Sequence, residues 1–166
     1  MHNFIFQLTI KNNYFPIIIN SKYDQSDDLA ISLLLVHELT HVQQYLDSIN
    51  KKIATTCLDN EVNAFTSVRH FYVFDLNFNE QTMVDSRIKS IKNSTQITGF
   101  LAQFFQTLDA PYKMINMINE LVSNSTCQEV DHATSKVHKD CVDNDVKKQL
   151  GQIISDDIGY KKQCKL

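Results

Sequence analysis

Leu33-Leu34-Leu35-Val36-His37-Glu38-Leu39-Thr40-His41-Val42-Gln43-Gln44 sets three ionisable side chains into a largely apolar run. The pattern around it is helical from Asp27 to about Asn50. Leu29, Leu33, Val36, Thr40 and Gln44 form one line of positions, and Leu35, Leu39, Val42 and Leu46 form an adjoining apolar one. Such a helix is apolar over most of its middle surface and is expected in the core. Its start is marked by Tyr23-Asp24-Gln25-Ser26, with Ser26 as N-cap, and by Asp27 and Asp28 in the first turn, where the helix dipole favours negative charge.

Working outward, Thr56-x-x-Asp59 has the form of a capping box and predicts a second helix to about Phe74. Asn79 predicts a capped helix over 80–92, and Thr95 one over 96–108. Asp109 ahead of Pro111 suits the opening of a helix that reaches about Val122. On the N-terminal side, residues 4–10 and 15–20 are rich in β-branched and aromatic types and flank Lys11-Asn12-Asn13, which reads as a hairpin or two strands. Only three glycines and two prolines punctuate the chain, too few for an all-β fold. The expected fold class is mainly α with a small N-terminal β element. Its main part is residues 1–125, and 126–166 form a helical or partly flexible tail of the same domain.

The 166 residues suffice for one domain with a real core, and 43% hydrophobic against 21% charged residues is a globular composition. A net charge of −3 gives no electrostatic case for nucleic acid. The longest apolar run, Ala30 to Val36, is far too short to span a membrane. The N-terminus lacks the basic region of a signal peptide, so a cytoplasmic location is expected, with Cys57, Cys127, Cys141 and Cys164 reduced. Cys57, at the start of the second helix, is expected to be a buried inert thiol. Cys127, His132, His138 and Cys141 have the makings of a second zinc site or, for the cysteines, a disulfide; an incidental cluster is the simpler reading. Phe100, Phe104, Phe105 and Tyr112 have helical spacing and read as core, as do Phe71, Tyr72 and Phe74.

His37-Glu38-Leu39-Thr40-His41 fits H-E-x-x-H. Histidines four apart on a helix share one face, so both imidazoles can point at one ion. Zinc takes nitrogen ligands at about 2.0–2.1 Å. Glu38, beside the first ligand, sits where a carboxylate can take a proton from water acidified by the metal. A chance match on a buried helix is the competing reading, but unpaired burial of three such groups is costly and a metal compensates it. Glu61 is the expected third ligand: it lies on the next helix, after a short connection, and small Ala64 lets the two helices approach. Otherwise it is a surface glutamate in an early helical turn. Asp47 is the rival ligand, but six residues along a helix is about 600°, which turns it away from the histidine face.

These residues resemble the gluzincin class of zinc metallopeptidases, the thermolysin-like arrangement with H-E-x-x-H on one helix and a glutamate on the next. Val36 to Gln44 is also similar to an H-E-L-T-H-V-x-Q-Q-like stretch of bacterial peptidase domains, and Glu61-Val62-Asn63-Ala64-Phe65 to the E-x-x-A-F-like segment of compact members. The resemblance covers about residues 26–70 and implies a compact zincin-like domain. It implies Zn²⁺ held by His37, His41 and Glu61, with Glu38 as catalytic base. One departure is Phe65, where the thermolysin group has an aspartate that orients the first histidine. Asp59, Asn60, Asn63 or a backbone carbonyl must then supply the acceptor that a ligand imidazole needs. For stabilising a developing oxyanion, His70, Tyr72, Arg69 and Tyr112 are chemically able, though packing or surface roles are the simpler reading for each.

Two functions from different classes follow, beside a third and weaker reading as a helical module that holds no metal. One is zinc-dependent hydrolysis of a peptide or protein substrate. The other is a catalytically silent helical zinc-binding protein that works as a protein–protein interaction module. An exchangeable water on the metal distinguishes the first, and a fully protein-ligated metal the second.

Overall fold

The computed structural model describes residues 21–51, 54–94, 110–123, 129–131, 136–138 and 144–165. The expected strands at 4–10 and 15–20, the helix at 96–108, and Cys127, His132 and Cys141 lie outside them.

The described residues are mainly helical. A 3-10 turn, Ser21–Gln25, leads into α1, Asp28–Lys51. The α1 cap is Asp27 and not Ser26: Asp27 Oδ1 accepts from the Ala30 amide at 2.8 Å and from the Tyr112 hydroxyl. The first of these bonds meets one of the amides left over at a helix start, and the second ties that start to a distant helix. Ala30, Leu33, Leu34 and His37 are the buried positions of α1, a stripe at helical spacing. The opposite face is not core. Leu39 is 51% exposed and Ile49 53%, so α1 buries one face instead of most of its surface.

The second helix, α2, spans Cys57–His70 and continues as a π-helical turn, Phe71–Asp75. Thr56 caps it, accepting from the Asp59 amide at 3.0 Å and donating to Asp59 Oδ2 at 2.6 Å. The cap read from Thr56-x-x-Asp59 is therefore formed. α3 is Phe78–Ser94, and its cap is Asn77 instead of Asn79. Asn77 Oδ1 accepts from the Asn79 and Glu80 amides, while Glu80 reaches back to the Asn77 amide at 2.9 Å. α4, Ala110–Ser123, buries Met114, Ile115, Ile118 and Val122.

The C-terminal part is not uniformly helical. Glu129–Asp131 (β1) and Lys136–His138 (β2) form an antiparallel pair with Val130 opposite Val137. Two helices follow, α5 at Asn144–Asp156 and α6 at Ile158–Cys164. Val146, Leu150 and Ile154, spaced four apart on α5, join Leu33, Val62, Phe65, Val68, Ile115 and Ile118 in one core. Buried Asp157 caps α6, accepting from the Tyr160 amide at 3.1 Å. Cys57 is not a free thiol: it is disulfide-bonded to Cys164, so the expectation of reduced cysteines fails for this pair. No described helix is long and apolar enough to cross a membrane.

α2 is the centre of the assembly, packing against α1, α4 and α5. Ala64 is fully buried. Leu33→Ala should lower unfolding free energy by about 2–5 kcal/mol, the usual effect of emptying a buried leucine site. Thr56→Ala should lower it by about 1 kcal/mol through loss of the cap. Denaturant unfolding followed by helical circular dichroism measures both.

Candidate metal centre

The buried stripe of α1 runs directly into the candidate site. His37 follows Leu33 and Leu34 on the inward face, and His41 lies one turn beyond. α2 brings Glu61 to the same place, and Glu61 is only 4% exposed. The three side chains offer ligand atoms that all lie within 4.8 Å of one another. His37 Nε2 and His41 Nε2 are 3.2 Å apart; Glu61 Oε2 is 3.6 Å from the former and Glu61 Oε1 3.6 Å from the latter. A tetrahedral ion with bonds of about 2.0–2.1 Å separates its ligand atoms by about 3.3–3.4 Å, and the observed spacings bracket that value. Glu61 Oε2 is buried with no hydrogen-bond partner, a cost that a cation would offset. The group could therefore hold a metal ion.

Gln44 fixes a proton on one ring nitrogen of His41. Its Nε2 donates to the Asn60 backbone carbonyl at 3.0 Å, which directs its Oε1 to His41 Nδ1 at 2.9 Å. An amide oxygen only accepts, so Nδ1 carries a proton, and the neutral form of the ring has its Nε2 lone pair facing His37 and Glu61. Asn60 thus serves through its carbonyl and through Gln44, while its side chain accepts from Thr55 at 2.7 Å. His37 differs. Its Nδ1 is buried without a hydrogen-bond partner, and Phe65 packs edge-on against the ring with centroids 5.0 Å apart. Where the thermolysin-like pattern has a carboxylate, this chain positions the histidine by packing.

Charge at the site follows from burial and proximity. Burial works against the Glu61 charge, but the imidazoles of His37 and His41 outweigh it and hold the carboxyl at about 2. Burial likewise opposes the charged form of His41, yet Glu61, Gln44 and Glu38 raise its pKa. Glu38 is raised, chiefly by burial, with His37 and His41 pulling the other way and Glu61 adding to the rise. Two tyrosines that sequence reasoning missed stand near these carboxylates. Tyr23 is pushed up to about 12 by burial and by Glu38. Tyr160 on α6 is raised by burial and by Glu61, Glu38 and Asp157. Both phenols stay protonated and remain hydrogen-bond donors. Gln163, also on α6, donates to Glu61 Oε1 at 3.2 Å. Gln44 had a legible signal, three positions after His41; Tyr160 and Gln163, about a hundred residues from Glu61, had none.

The other sequence candidates are engaged elsewhere. Asp47 pairs with Lys51 at 2.9 Å and accepts from Gln43 at 3.1 Å. His70 is exposed and 3.8 Å from Asp75. Tyr72 donates to Asp85, Tyr112 to Asp27, and buried Arg69 to Asn119 at 3.2 Å. No protein-family model, curated protein or solved structure matches the chain.

Glu61→Ala should therefore abolish or strongly weaken metal binding while Asp47→Ala leaves it nearly unchanged, as measured by competition with a chromophoric chelator. The metal-free protein should also show a pH signature. The Glu61 value lies below its ordinary 4.5, so its stabilising contribution is present above about pH 4.5 and lost as pH falls through about 2. The His41 value lies above its ordinary 6.5, so its contribution is present below about pH 6.5 and lost as pH rises through the raised value. The melting-temperature advantage of wild type over Glu61→Gln should be largest between these limits and shrink on both sides. An advantage that does not vary with pH contradicts the charge assignment.

Proposed function

We propose that the chain is a zinc-dependent peptidase, with His37, His41 and Glu61 holding the metal and Glu38 as general base. The observation that carries this reading is the convergence of two imidazole nitrogens and a buried carboxylate, one oxygen of it without a hydrogen bond, beside a further carboxylate on the same helical turn. Two nitrogens and an oxygen are a common donor set of hydrolytic zinc sites, which keep a fourth position open. When bound, zinc acidifies water and polarises a carbonyl.

The residues of the chain account for the remaining steps. His41 is held in its ligand tautomer by Gln44, and His37 in its orientation by Phe65. Glu38, adjacent to His37 in sequence and not itself part of the converging group, takes the proton from water and passes it to the departing amine. Its partial burial raises its proton affinity, which suits a base that must later act as an acid.

Metal analysis of the purified protein should find about one zinc per chain. Glu38→Gln should keep the metal and the helical content but lower cleavage of a peptide library by about 10²–10⁴-fold, the usual worth of general-base assistance. Equal turnover by the two proteins removes Glu38 from the mechanism. A zinc-loaded wild type that cleaves no library member leaves metal binding without turnover, which is the interaction-module reading.

A further inference from the structure

The last turn of the described chain reaches the third candidate ligand. Gln163 Nε2 donates to Glu61 Oε1 at 3.2 Å across 102 residues of sequence, and the neighbouring residue, Cys164, is bonded to Cys57. Cys57 lies one turn before Glu61 on α2, so the covalent bond and the hydrogen bond join the same two helices one turn apart. We propose that Gln163 is a positioning residue for Glu61, held in place by the Cys57–Cys164 disulfide, so that metal affinity at His37, His41 and Glu61 depends on this bond. The proposal rests on the reading of these three residues as a metal site.

The seven residues of α6 are too few for a helix to persist without tertiary support. Its anchors are the disulfide, the Asp157 cap, and Tyr160, which is 7% exposed and packs against Phe65 with centroids 6.2 Å apart. Gln163 itself is exposed, so packing does not fix its long side chain. Fixing the adjacent backbone lowers the entropy lost when its amide orders against Glu61. The amide N–H donates and cannot itself bind a cation, so it occupies Oε1 without competing for the metal and leaves Oε2 directed at His37. Hydrogen bonds that orient a carboxylate ligand in this way commonly change metal affinity by about 10–100-fold when removed.

The test measures Zn²⁺ affinity by chelator competition and the visible spectrum of the Co²⁺-loaded protein, which reports ligand geometry. Gln163→Met keeps the length of the side chain and the disulfide but removes the donor. It should weaken Zn²⁺ binding about 10–100-fold and alter the Co²⁺ spectrum, with helical content unchanged. The double variant Cys57→Ser with Cys164→Ser should weaken binding comparably, and adding Gln163→Met to it should cost little more, because both act through Glu61. Wild-type affinity and spectrum in Gln163→Met overturn the proposal while leaving the metal site standing. Full additivity of the changes overturns the role of the disulfide. If the double variant loses its helical signal, Gln163→Met alone decides. A wild type that binds no Zn²⁺ overturns the metal reading and this proposal together.

Discussion

A carboxylate buried between two imidazoles is the feature around which this molecule is arranged. Glu61 is nearly inaccessible, and an isolated charge there would be costly in a medium less polar than water. His37 and His41 make the charge tolerable, each 3.6 Å from one of its oxygens. That requirement sets the pairing of α1 with α2. The histidines must continue the buried stripe of α1, and α2 must bring Glu61 against them.

The surrounding residues divide the work of holding this group. Gln44 is fixed by the Asn60 carbonyl and in turn fixes the proton on His41. Phe65 packs on the His37 ring and also on Tyr160, so one aromatic residue links the α1 histidine to the C-terminal helix. Glu61 adds to the cost of ionising Glu38, and the imidazoles act the opposite way on both carboxyls. The result is one carboxyl held ionised and a second with increased proton affinity. Such a separation of two acids by their environments is what acid–base chemistry uses.

The N-terminal part of α2 and the end of the described chain form a second level of organisation. The Cys57–Cys164 bond spans 107 residues and closes the chain around its core. It brings Gln163 and Tyr160 to a site whose three candidate ligands all come from α1 and α2.

Much of the helical frame and the central group was legible in the chain because those signals are local. The i, i+4 spacing of His37 and His41 follows from helical periodicity alone, and Thr56-x-x-Asp59 forms its cap from residues three apart. Glu61 was within reach because a short connection leaves the second helix few ways to return. Local patterns discriminate poorly where two neighbours compete for one cap: Asp27 and Asn77 took the places expected of Ser26 and Asn79. They also overstate the burial of α1, since Leu39 is apolar yet exposed, and which face of a helix is covered depends on its neighbours. What the tertiary structure alone decided is whatever joins distant segments: the Cys57–Cys164 pairing, the approach of Tyr160 and Gln163 to Glu61, and the replacement of an expected hydrogen bond at His37 by the ring of Phe65. Periodicity constrains residues a few positions apart, whereas contacts across a hundred residues depend on how whole helices pack.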